Sequence, residues 1–128
     1  MINEVINLKE GKLLKDNEAK DEIIKFFKFI QKQNLILKDF YVNKYNYIQQ
    51  SDEYSYELHD IELNKDNISI DDTNINIKIP IYVANEFIKI NENTNIWYRY
   101  IKDKNDVVLS YGIDNEIEKY KITYIFSW

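Results

Sequence analysis

Alternate residues at the end of the chain divide cleanly by character. Tyr120, Ile122, Tyr124, Phe126 and Trp128 fall on one face, and Lys119, Lys121, Thr123, Ile125 and Ser127 on the other, mostly polar one. A period of two carried by β-branched and aromatic side chains predicts a half-buried strand over Ile117 to Trp128, tied into a sheet at its carboxy-terminal end. Ile96 to Ile101 and Val107 to Ile113 have the same character. With short loops at Lys102 to Asp106 and Asp114 to Glu116, the three segments predict an antiparallel meander.

One segment changes period. Ala19, Ile23, Phe26, Phe27 and Ile30 recur at helical spacing, with Ile24 and Phe29 widening the stripe, which predicts a helix over about Glu18 to Gln33 with its phenylalanines in the core. Asp16 or Asn17 can cap the first free N–H groups, and Asn34 sits where a helix stops. Asp21 and Glu22 lie early and Lys25, Lys28 and Lys32 late, the order the helix dipole favours, and Asp21 pairs with Lys25 at i,i+4.

The middle of the chain is less regular. Leu35 to Val42 predicts a strand; Asn43-Lys44 either turns it back into Tyr45 to Ile48, or the strand runs unbroken through Ile48. Tyr54, Tyr56 and Leu58 share a face, but the apolar set then jumps to Ile61 and Leu63, which predicts a bulge near His59 and Asp60. Asn64 to Asn67 and Asp71 to Asn74 have turn chemistry. Ile75, Ile77, Ile79, Ile81 and Val83 alternate most regularly of all, while Pro80 lacks a ladder donor and points to an edge or locally unpaired strand. Ala84 to Ile90 fits a short helix or a continued strand, and Asn91 to Asn95 a loop. Before Glu18 there is only a weak apolar pair, Val5-Ile6, and a turn-like Glu10-Gly11-Lys12.

The fold class that follows is α+β: one main N-terminal helix packed on an antiparallel, largely meandering β-sheet. No repeat, linker or Pro/Gly/Ser-rich boundary interrupts the 128 residues, so one domain over 1–128 is expected.

Composition changes how the motifs are weighed. Lys outnumbers Arg sixteen to one, and Ile, Asn and Tyr are abundant where Ala, Gly, Arg and Pro are scarce, the imprint of very AT-rich coding. Clusters of Tyr and Asn therefore carry less information than usual. No apolar run approaches the roughly 20 residues of a membrane span, and the amino terminus has no signal-peptide core. Together with the absence of cysteine, this gives a cytoplasmic expectation, or a host cytoplasm for a viral protein.

The net charge of −5 is uneven. Residues 1–48 hold nine lysines and seven acids, whereas Ser51 to Asp72 holds eight carboxylates and a single lysine. Direct nucleic-acid binding through a basic face is not expected on that count, and a protein partner with a basic surface is favoured.

Catalytic chemistry has few parts. The two glycines, Gly11 and Gly112, cannot form a phosphate-cradling loop. No serine has a nucleophile-elbow context, and no cysteine is available as nucleophile or thiolate ligand. His59 lies among Glu57, Asp60 and Glu62, a set able to share a divalent ion in a small metal-dependent hydrolase or nuclease, although zinc would want more nitrogen or sulfur. An exposed histidine in an acidic strand is the simpler account, so neither a metal nor a cofactor is expected.

The leading expectation is a non-enzymatic protein-binding protein. Its partner surface would comprise Asp52, Glu53, Tyr54, Tyr56, Glu57, Asp60 and Glu62, tyrosine and carboxylate together suiting an interface core and rim. Size, charge and AT-rich coding fit a phage or mobile-element inhibitor, or an immunity-type protein, that occludes a host or defence protein. A homodimer joined through an Ile75 to Val83 edge is a third option.

Overall fold

The computed structural model describes residues 12–13, 16–33, 35–79, 85–90 and 96–128. Val5-Ile6, the Glu10-Gly11 turn, Asn34, Pro80 to Ala84 and the Asn91 to Asn95 loop lie outside them, as do the side chains of Asp16 and Asn17. In chain order the elements are β1 (Lys12–Leu13), α1 (Asp16–Lys32), β2 (Leu35–Asn46), β3 (Ser51–Leu63), β4 (Ile68–Ile70), β5 (Asn74–Lys78), β6 (Asn85–Lys89), β7 (Ile96–Asp103), β8 (Asp106–Asp114) and β9 (Lys119–Ser127). Six strands form a large sheet in the order β1-β7-β8-β9-β2-β3, and three form a small sheet in the order β4-β5-β6. Every pairing is antiparallel, and β7, β8 and β9 make the expected meander.

The apolar face of β9 is the centre of the core. Tyr124 and Phe126 are almost wholly buried, and Phe26 and Phe27 of α1 meet the Phe126 ring edge-on at 5.7 and 5.5 Å. Trp128 stacks on Phe26 at 5.7 Å and its backbone N–H donates to Asn105 O at 3.0 Å, which fixes the carboxy-terminal end. Each buried ring contributes about 1.5–3 kcal/mol through the area it removes from water. Phe29 differs from expectation. It lies about 100° round the helix from the middle of the stripe, and the structure leaves it 55% exposed.

The inner face of the large sheet has two covers. Phe126 meets α1, while the Tyr111 and Tyr124 hydroxyls donate to Phe87 O of β6 in the small sheet at 3.1 and 3.0 Å. Gln31 Nε2 donates to Ile68 O at 3.1 Å and joins the helix to β4.

The structure decides between the strand alternatives. β2 runs unbroken to Asn46, so Asn43-Lys44 is not a turn; the connection is Tyr47 to Gln50. Ala84 to Ile90 contains strand β6 rather than a helix. Ile75 and Ile77 lie in β5, the central strand of the small sheet, because β4 and β6 pair with its two sides, while Ile81 and Val83 lie outside the described residues. Among the described residues, β5 itself has no open side.

The outer face of the large sheet is also more buried than alternation implied. Ser110, Lys121 and Thr123 are at most 5% exposed, although their chemistry is that of a solvated face. Gly112 lies in the same row, between Trp97 and Lys121. A Cβ there would come within 2.4 Å of Trp97 Cζ2 and 2.3 Å of Tyr120 O, so only glycine fits between the indole and the neighbouring strand.

Candidate functional site

The β2–β3 hairpin carries every residue expected to bind a partner. Asn46 ends β2, and its Oδ1 accepts from the N–H groups of Ile48 and Gln49 at 2.9 and 3.0 Å, a side-chain turn that replaces missing ladder bonds. Gln50 closes the connection in the left-handed region, φ 55°. The register then slips between Lys44 and Tyr45, where Tyr54 opposes Lys44 and Asp52 opposes Tyr45, so Glu53 is the bulged residue. Its carboxylate accepts from Lys44 Nζ at 2.8 Å and Asn46 Nδ2 at 2.9 Å. Those two bonds hold the Glu53 carboxyl below its ordinary pKa. Lys44 in turn lies 4.5 Å from the centre of the Tyr120 ring.

The expected bulge near His59 and Asp60 takes a different form. Leu58 and Ile61 of β3 are both buried, but so are their partners Phe40 and Leu37 of β2, and the register is the same on each side. Both strands therefore carry one surplus residue at the same level. Asp60 accommodates it at φ 54°.

The seven expected residues share one strand but not one face. Asp52, Glu53, Glu57, Asp60 and Glu62 are exposed along β3, which is the last strand of the large sheet. Tyr54 and Tyr56 point to the inner face, stacked on each other at 6.1 Å. The Tyr56 hydroxyl donates to Glu86 Oε2 of the small sheet at 2.5 Å, and Tyr124 OH lies 3.3 Å from Glu86 Oε1. Burial raises the Glu86 pKa, and the two tyrosine bonds pull it partly back. Burial and the nearby Glu86 charge push Tyr54 up to about 12 and Tyr56 further. Tyr56 thus helps to hold the small sheet against the large one.

His59 pairs with Asp39 across the ladder. Its Nδ1 lies 2.6 Å from Asp39 Oδ1, and that bond raises the imidazole pKa. Asp39, Glu57 and His59 place one donor atom each within 4.8 Å of one another on the outer face, the arrangement a divalent ion would need. Asp60 and Glu62, the acids nearest in sequence, do not join that group. Asp39 escaped the sequence reading because only strand register brings it to His59. Glu86 could have been found: it alternates with Ile88 and Ile90, an acid on an apolar face.

No family model matches the chain, and comparison with curated proteins and with solved structures returns no match. No helix among the described residues is long and apolar enough to cross a membrane. The fold is α+β and mostly sheet, with one helix among the described residues packed on antiparallel strands.

Proposed function

We propose that the protein is a non-enzymatic binding protein that receives the basic surface of a protein partner along the free edge of β3. The observation that carries this reading is that β3 ends the large sheet, where no further strand among the described residues pairs with it and only the Asn67 side chain reaches its backbone, at Glu62 O, while Asp52, Glu53, Glu57, Asp60 and Glu62 are exposed along its length. A partner laid on either face alone would miss part of that set. A partner strand added edge-to-edge gains main-chain hydrogen bonds and reaches side chains on both faces. Lysine and arginine on that partner complement the carboxylates and speed association. Inhibition follows by occlusion, and AT-rich coding with small size supports a phage or mobile-element origin with a host or defence protein as target.

The test is affinity capture of a partner with the full chain, then titration of that partner against a variant carrying Asp52→Asn, Glu57→Gln, Asp60→Asn and Glu62→Gln. Affinity should fall by about tenfold or more, mainly through association rate, and the wild-type affinity should weaken steeply with salt. An affinity unchanged by the four substitutions refutes the edge.

The Asp39–Glu57–His59 group favours a second reading, a small metal-dependent hydrolase. It requires binding of Mg²⁺ or Mn²⁺. An absence of calorimetric heat with both ions removes it.

A further inference from the structure

We propose that the outer face of the large sheet, beside the β2–β3 turn, is a binding site for a neutral saccharide. A concavity of about 620 Å³ opens there, within the range of small-molecule sites. Asn43, Tyr45, Tyr47 and Gln50 form its β2 and turn side, together with Tyr41; Asp52 of β3 and Lys121 of β9 close it. The wall contains no aliphatic side chain. Three tyrosines in the wall supply ring surface suited to the C–H groups of a sugar ring, and its amide, carboxylate and ammonium side chains are of the types that hydrogen-bond hydroxyls. One acid stands against one lysine, so the site is electrically balanced and suits an uncharged ligand better than a phosphate or a polyamine.

The site is built rather than incidental. Asn43 Nδ2 donates to Asp52 Oδ1 at 2.9 Å, which orients both groups in the wall. Tyr45 and Tyr47 brace each other edge-to-face at 5.0 Å. Gln50, a lining residue, is held in a left-handed conformation that costs a non-glycine residue energy, and Asn46 clamps the turn that holds it. Lys121 is only 5% exposed, yet it lines the concavity. The polar character continues beneath: Thr123 and its ladder neighbour Ser110 lie in the next row of the same face, buried, with no hydrogen bond to either hydroxyl among the described residues.

This proposal concerns the face of the sheet, and only Asp52 is shared with the edge of β3. The test is a titration of the ¹⁵N-labelled full chain with maltose, cellobiose, lactose and diacetylchitobiose to millimolar concentration, followed by amide shifts. At least one sugar should give saturable changes confined to residues 41–52 and 119–123. Tyr45→Ala should weaken that sugar by about tenfold, as expected for a lost stacking and hydrogen-bonding side chain. Gln50→Gly relieves the backbone while removing the amide, so it should keep or raise thermal stability and still weaken binding severalfold. The proposal is overturned if none of the four sugars shifts these amides, or if both variants bind as the wild type does. It is equally overturned if adenosine monophosphate or glycine saturates the site and no sugar does.

Discussion

Replacing Tyr56 by Phe removes one hydroxyl and leaves the ring, so it isolates the bond to Glu86. Glu86 is 9% exposed and its Oε2 receives the Tyr56 proton at 2.5 Å. Tyr124 cannot substitute fully, because its single proton is nearer Phe87 O, at 3.0 Å, than Glu86 Oε1, at 3.3 Å. A net bond to a charged acceptor is worth about 1.5–3 kcal/mol, and a neutral pair about 0.5–1.5. Tyr56→Phe should therefore cost about 1.5–3 kcal/mol where Glu86 is ionised and roughly half as much where it is protonated. Urea unfolding, followed by the fluorescence of Trp97 and Trp128 at pH 4 and at pH 8, reads both values. Tyr54→Phe is the control: its ring is 37% exposed, so its loss should stay within about 0.5 kcal/mol. A cost below about 0.5 kcal/mol for Tyr56→Phe at pH 8, or an equal cost at the two pH values, refutes the clasp.

Other consequences can be checked separately. Burial raises the Glu86 pKa above its ordinary 4.5, so the folded state holds this proton longer than the unfolded chain. The stability it contributes is full below about pH 4.5 and is lost as pH rises through the folded value; Glu86→Gln should flatten that decline in a pH series of unfolding curves. Gly112→Ala drives a methyl into Tyr120 O and the Trp97 ring and should cost about 1–3 kcal/mol or more in urea unfolding; a neutral result would contradict the packing of that row. Asp39→Asn should lower the His59 midpoint toward 6.5 in an NMR titration, since the Asp39 bond is the leading cause of its raised pKa. Phe27→Ala, at a site 1% exposed, should cost about 3–5 kcal/mol by thermal or urea unfolding.

Much of the architecture was legible because one strong signal, alternation, coincided with burial. Tyr120 to Phe126 read as a strand with one apolar face, and so it is. Alternation says nothing about a polar face that is nevertheless covered, so the burial of Lys121, Thr123 and Ser110 could not be read. The small sheet was missed for a related reason. Ile75 and Ile77 signalled a strand, but three to five residues per strand carry no record of which neighbour each one pairs with. Pro80, which points to an edge or locally unpaired strand, lies outside the described residues, and β5 before it is central. The bulge at Glu53 left no trace, because Asp52 and Glu53 are both polar and no apolar phase changes there. Of the candidate surface, the carboxylates were found where composition placed them. The inward turn of Tyr56 depends on Glu86, thirty residues away, and no local pattern carries that.

The matched surplus residues at Lys38–Asp39 and His59–Asp60 bear on how this fold can vary in length. Deleting Asp60 alone would put Ile61 and Leu63 out of step with Leu37 and Leu35 and turn them outward. Deleting one residue from each strand at that level would shorten the hairpin and leave the apolar partners facing one another. Gains and losses at these two places should accordingly arrive as pairs in any lineage that keeps the sheet, which makes an alignment gap in one strand a marker for its counterpart in the other.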